Sequence, residues 1–153
     1  MAPVSDPDAA DLIAEILEEL GEDLEVQRVT VRLRAEDAVF PIAHEWLGQG
    51  AASIRRTPQV DMATQPVVLA MQAGAEQVAQ DDCARATDDP GFQAMLELFG
   101  GMKAQIVTAV RDRQGEIVLL LSVHDLVAPR TWSDIERRWC RHAADRIWQL
   151  ETS

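Results

Sequence analysis

The chain of 153 residues contains no tyrosine, no asparagine and a single lysine, Lys103. That bias fits GC-rich coding and excludes no activity. Long apolar runs are also missing. The longest, residues 117–121, falls far below the roughly 18–20 residues that a membrane span needs, so no membrane partner is expected. The opening Met1-Ala2-Pro3-Val4-Ser5-Asp6 has neither the basic nor the apolar segment of a secretion signal. A cytoplasmic location is the expectation, and the Met start with a polar end suggests an intact, stand-alone chain. Cysteine is scarce: Cys83 and Cys140 stand far apart, which fits reduced thiols rather than a disulfide framework.

Positive charge is absent from the first part of the chain. Before Arg28 there is no basic residue, while Asp6, Asp8, Asp11, Glu15, Glu18, Glu19, Glu22, Asp23 and Glu25 account for most of the formal net charge of −12. Such a field repels phosphate backbones, so nucleic acid is not expected as a direct partner. The last segment leans the other way, with Arg130, Arg137, Arg138, Arg141 and Arg146. These are either two solvated faces or an acidic first helix lying beside a basic last one, within a subunit or across a dimer.

At this length one domain over 1–153 is expected, with enough chain for a core that needs no staple. Leu12, Ile13, Ile16, Leu17 and Leu20 recur at helical spacing over 8–20, and Gly21 supplies a stop. Residues 26–33 and 38–46 alternate as strands about a Glu36-Asp37 turn, and 51–55 suits a short third strand. Thr64 caps a helix that has Pro66 two residues in. Residues 77–80 form a brief strand, 84–89 a polar loop, and 92–99 a short helix ended by Gly100-Gly101. Residues 103–111 and 116–124 make a hairpin about Asp112-Arg113-Gln114-Gly115. Thr131, with Asp134 three residues on, opens a terminal helix. Its apolar residues hold two stripes, Ile135, Trp139, Ala143, Ile147 and Leu150, then Cys140, Ala144 and Trp148, so two neighbours are expected. The order helix, strands, helix, strand, helix, hairpin, helix describes an α+β plan with an antiparallel sheet covered by helices.

The hairpin, followed by Pro129-Arg130-Thr131-Trp132-Ser133-Asp134-Ile135-Glu136, resembles the closing half of a GAF domain, whose members commonly enter the last helix through a Trp/Phe-Ser/Thr-x-x-Glu step. Asp81-Asp82 after a strand agrees more loosely, and the resemblance covers about 8–150. It implies a profilin- or PAS-type central antiparallel sheet of five to six strands. The first and last helices would pack on one face, with ligand-side helices and loops on the other. It implies a non-enzymatic cytoplasmic signalling module that binds a small molecule and signals through a homodimer of terminal helices to a protein partner, the setting of transcriptional regulators and sensor histidine kinases. The pocket would take apolar wall from Trp46, Phe92, Met95 and Leu96, and polar contacts from Asp82, Arg85 and His124. The second apolar stripe would form the dimer seam.

Other chemistries find less support. His44, His124 and His142 have no metal spacing, and Cys140 and His142, two apart on a helix, diverge; no metal and no cofactor is expected. The free methionine-R-sulfoxide reductases of this family need a nucleophilic and a resolving thiol. Here Cys83 sits beside Asp81 and Asp82, which should raise its pKa, and Cys140 lies in the distant last helix. Phytochrome-type members attach a linear tetrapyrrole to a cysteine that often precedes a histidine, whereas Ala84 follows Cys83. Arg55, Arg56 and Arg85 could meet a phosphate, but suit a solvated surface. No catalytic residue is assigned. The alternative to a sensor is a ligand-free dimerisation or protein-interaction module whose pocket is filled by its own side chains.

Overall fold

A computed structural model describes residues 7–35, 40–55 and 65–153. Helix α1 (Pro7–Leu24) leads into strands β1 (Arg28–Leu33) and β2 (Ile42–Leu47). Helix α2 (Pro66–Gln72), strand β3 (Gln77–Gln80), the short α3 (Cys83–Ala86) and α4 (Pro90–Leu98) follow. The β4 (Ala104–Arg111) and β5 (Ile117–Asp125) hairpin and α5 (Asp134–Glu151) close the chain. All five strands are antiparallel in the order β2-β1-β5-β4-β3, within the expected five to six. No strand forms at 51–55, which run as loop and turn; the backbone N–H of Ile54 donates to Glu45 instead of to a ladder. Glu36, Asp37, Arg56 and Thr64 lie outside the described residues.

Period-two alternation divides the sheet into two unlike faces. Val29, Val31, Leu119, Leu121, Val123, Ile106 and Val110 point one way. There they join Ile13, Leu17, Leu20 and Leu24 of α1 and Cys140, Ala143, Ala144 and Ile147 of α5 in the main core. The acidic helix and the basic helix therefore do pack together within one subunit. Their contact is apolar: among the described residues no ion pair joins them.

Gly21 does not stop α1. The helix runs one further turn, and Glu25 takes the left-handed conformation (φ 56°) that ends it. Val26 N–H then donates to the Gly21 carbonyl and Glu25 N–H to Glu22, the paired bonds of a Schellman ending. Gly21 is needed for close approach instead. A Cβ there would lie 2.2 Å from the Trp46 ring, which packs on this face of the sheet against the main core. The terminal helix begins two residues later than its sequence signal suggests. Ser133, not Thr131, is the cap: its Oγ accepts from Glu136 N–H at 3.1 Å, and Glu136 accepts from Ser133 N–H at 2.9 Å. Both Thr131-x-x-Asp134 and Ser133-x-x-Glu136 satisfy the spacing, and only the second has a side chain long enough to reach back.

The second stripe of α5 also needs correction. Cys140 and Ala144 are buried in the core, and Trp148 is half-buried against it. The second neighbour of α5 is α1 of the same chain. What α5 leaves in solvent is Ile135 and Trp139, joined on α1 by Leu12.

Replacing Gly21 with Ala should lower unfolding free energy by about 1–3 kcal/mol through overpacking against Trp46, although alanine is the better helix former. Denaturant titration of Gly21→Ala, Trp46→Leu and the double variant would measure it. The smaller ring partner should remove most of the penalty, and additive losses would contradict the contact.

Candidate functional site

The opposite face of the sheet is polar at one end and apolar at the other. Arg28, Thr30 and Arg32 project from β1, Ser122 and His124 from β5 and Gln105 from β4, because each alternates with a core residue of the other face. Cross-strand pairing aligns Arg28 with His124 and His124 with Gln105, and Thr30 with Ser122. At the apolar end Val107, Ala109 and Leu120 meet Val67, Val68 and Met71 of α2. Helix α4 places Phe92, Met95, Leu96 and Phe99 in a separate cluster with Cys83 and Met102. Asp89 fixes the start of that helix by accepting from Phe92 N–H at 2.8 Å, with Pro90 in the first turn.

Between these clusters a cavity of about 30 Å³ remains. Its walls are Thr30, Arg32, Gln105, Ser122 and His124 from the sheet, Gln65, Val67 and Val68 at α2, and Phe92, Met95 and Phe99 at α4. That volume holds about two waters. Two buried polar atoms here, Thr30 Oγ1 and Gln65 Oε1, have no hydrogen-bond partner among the described residues. Leaving such a group unpaired costs about 1–3 kcal/mol.

Arg28, only 1% exposed, sits beside the cavity on the same strand face. Its Nε donates to His124 Nδ1 at 2.9 Å, and its Nη atoms donate to the carbonyls of Phe99 (2.6 Å) and Ala52 (3.3 Å). Burial draws its pKa down to about 10, against the pull of Glu45 and with a further push from Arg32. Burial likewise lowers that of Arg32, again opposed by Glu45. His124 is held well below its ordinary 6.5 by burial first and then by the two guanidinium groups. It is therefore neutral at pH 7, and because Nδ1 accepts from Arg28, Nε2 carries the ring proton. The ring also stacks on Phe99, with centroids 6.2 Å apart.

Of the seven residues expected to line a pocket, the structure brings together Phe92, Met95 and His124. Trp46 is on the opposite face against Gly21, since its register partner is the core residue Val29. Asp82 precedes α3 and pairs with Arg85 at 3.8 Å, and the Arg85 side chain is 88% exposed; neither reaches the cavity. The 84–89 loop also contains part of α3. Leu96 is buried in the α4 cluster without lining the cavity. Sequence reasoning missed Arg28, Thr30 and Arg32, although their alternation with Val29 and Val31 was visible. It also missed Ser122, Gln105 and Gln65.

Cys83 Sγ donates weakly to Gln80 Oε1 at 3.8 Å. Burial, then the Asp82 carboxylate, pushes its pKa up to about 12; burial, then Glu136, does the same for Cys140. The expected direction at Cys83 holds, with burial the larger cause. Among the described residues no group of three His, Cys, Asp or Glu could hold a metal ion, and no helix is long and apolar enough to cross a membrane.

An antiparallel sheet with the terminal helices on one face and a small cavity under shorter helices on the other defines the class of fold. The GAF domain model matches residues 8–150, and the chain belongs to the GAF domain family. Among solved structures it is similar to the blue-light-absorbing form of the PixJ GAF domain of Thermosynechococcus elongatus, with a TM-score of 0.75 and 22% identity over 94% of this chain and 85% of that one. It is also similar to a far-red-absorbing dark state with bound biliverdin IXa, with a TM-score of 0.76 and 21% identity over 97% and 91%. At these identities the likeness establishes the fold. None of the curated proteins matches the chain.

The neutral buried His124 gives a pH signature. Below about pH 6.5 the unfolded imidazole takes up a proton that the folded one refuses, so the unfolded state binds more protons. Stability is thus lost as pH falls below that value, by up to about 1.4 kcal/mol per pH unit for one group. In urea titrations the stability of the parent relative to His124→Gln, which can still accept from Arg28, should fall progressively between pH 6.5 and 5 and stay constant above pH 7. A difference independent of pH would mean that His124 folds protonated.

Proposed function

We propose that this chain is a non-enzymatic, cytoplasmic sensory module that holds a small molecule in the cavity between the sheet and α4. It would pass occupancy to a signalling protein through a dimer of its terminal helices. The observation that carries this reading is a pair of buried atoms without a partner among the described residues, Thr30 Oγ1 and Gln65 Oε1, on two residues that line one cavity. A ligand that supplies their bonds stabilises the native state by mass action. The thiol-enzyme alternative is disfavoured because both cysteines are buried, with pKa values near 12, so neither is a thiolate at neutral pH. The fold neighbours include a structure with bound biliverdin, which supports ligand binding as a use of this fold. A tetrapyrrole is disfavoured here, since about 30 Å³ is some tenfold below the ~300–1,000 Å³ of pockets for drug-sized ligands.

That same small volume favours a second reading, in which Phe92, Met95 and Phe99 fill the pocket and assembly alone is the function. Native mass spectrometry beside a denatured sample separates the two. The sensor predicts a discrete mass lost on denaturation, or a metabolite that raises the melting temperature. Neither effect, in a chain that still assembles, would favour the interaction module.

The dimer surface is best sought where apolar side chains remain in solvent, at Leu12, Ile135 and Trp139, 44%, 55% and 44% exposed. The acidic residues of α1 and Arg138 and Arg146 of α5 form no ion pair with each other, which leaves charges of both signs for a second copy to meet. Trp139→Glu should give monomer in light scattering with little change in melting temperature. A dimer of unchanged mass would exclude this face. Trp148 is a poorer probe, since it packs on the core and its loss would mix unfolding with dissociation.

A further inference from the structure

The polar face of the sheet carries positive charge that its own neighbours do not neutralise. Among the described residues no carboxylate lies within 4 Å of the guanidinium of Arg28 or Arg32. The acidic group acting on both is Glu45 of β2, and its oxygens are already engaged by Ser53 Oγ, Ile54 N–H and the Arg55 guanidinium. His124, the remaining titratable group on this face, is neutral and adds a ring N–H rather than a countercharge.

Arg28 spends its donors on His124 and two carbonyls. Arg32 lines the cavity and, among the described residues, donates to a single carbonyl, that of Phe40, at 2.9 Å. A guanidinium has five N–H donors in a planar fork suited to oxyanions. Thr30, midway between the two arginines on the same strand face, keeps a buried hydroxyl without a partner, and Gln65 an unpaired amide oxygen across the space. Rotation of that amide by half a turn would present its N–H₂ instead. Ser122, the register partner of Thr30, brings a second hydroxyl. The opposite wall, Val67, Val68, Phe92 and Met95, is apolar and offers a second charge nothing.

We propose that this cavity is a site for a small monovalent oxyanion, gripped by Arg32, Thr30 and Ser122 within the positive field of Arg28. This rests on reading the cavity as a ligand site at all. A volume of about 30 Å³, room for about two waters, limits the occupant to a few heavy atoms. A short carboxylate such as formate or acetate, or a planar inorganic ion such as nitrate, meets that limit and the donor set alike.

The test is calorimetry and thermal melting of the full chain with sodium formate, acetate, propionate and nitrate at constant ionic strength. Sodium chloride serves as the baseline, and acetamide as a neutral counterpart of acetate. At least one oxyanion should raise the melting temperature saturably above chloride, while acetamide should not. Carboxylates alone would point to an organic ligand, and nitrate alone to an inorganic one. Arg32→Met should weaken binding at least tenfold. Thr30→Val should weaken it several-fold while raising the melting temperature of the unliganded protein, a combination that a merely structural threonine would not give. Should Arg32→Met fail to fold, Thr30→Val and Ser122→Ala carry the test. Equal stabilisation by acetamide, or unchanged affinity in the folded variants, would overturn the anion assignment while leaving a pocket for neutral molecules. A neutral co-purified mass in native mass spectrometry would do the same. If none of the four salts acts and no co-purified mass appears, both the anion and the ligand site are lost.

Discussion

The arrangement of the polar face turns on one contact, the 2.9 Å hydrogen bond from Arg28 Nε to His124 Nδ1 across the β1–β5 ladder. A guanidinium that is 1% exposed has lost its hydration, and such a charge is tolerated only when polar partners replace the lost water. Here the replacements are a neutral imidazole, two carbonyls and the face of Phe99, whose centroid is 5.9 Å from the guanidinium carbon. None of them cancels the charge. The carbonyl of Phe99 is available because α4 ends at Leu98, so the length of that helix and the depth of the arginine are set together. His124 must stay unprotonated at Nδ1 to accept, which ties its tautomer to the same contact.

Much of the architecture was legible in the sequence because it follows from periodicity. The β4–β5 hairpin, the β3 segment and the amphipathic α1 and α5 are elements whose burial requires their pattern, and each appears within a few residues of its expected span. The ends were harder. Gly21 looked like a stop because glycine commonly ends helices, yet what it provides is room for an indole ring 25 positions further along the chain, a contact that no local signal contains. Thr131 and Ser133 offered competing caps, and the reach of Glu136 decided between them.

The site was read less completely, for a related reason. Phe92, Met95 and His124 could be placed from the element order alone. Trp46 was misplaced because deciding which face a β2 residue occupies requires the register with β1, and a one-residue change reverses every side chain. Arg28 and Arg32 were passed over although they alternate with valines, because charged residues in a strand are ordinarily the solvated side. Only the presence of α4 and α2 over that face makes them interior. Asp82 and Arg85 failed in the opposite sense: adjacency to β3 suggested the pocket, and a single turn of helix after Asp82 turned them outward.

The terminal helix is fastened at both ends to different strands. At its start, Arg130 lies over the Trp132 ring, pairs with Asp125 at the end of β5 and with Glu136 in the first helical turn, and donates to the Leu24 carbonyl that ends α1. Trp132 meanwhile donates from its indole nitrogen to Gln80 at the end of β3. At the far end Glu151 bonds His44 on β2, the opposite edge of the sheet. The helix is thus a crossbar braced between the two margins of a twisted surface. A change in the twist of the sheet would move the two anchor points of α5 relative to each other.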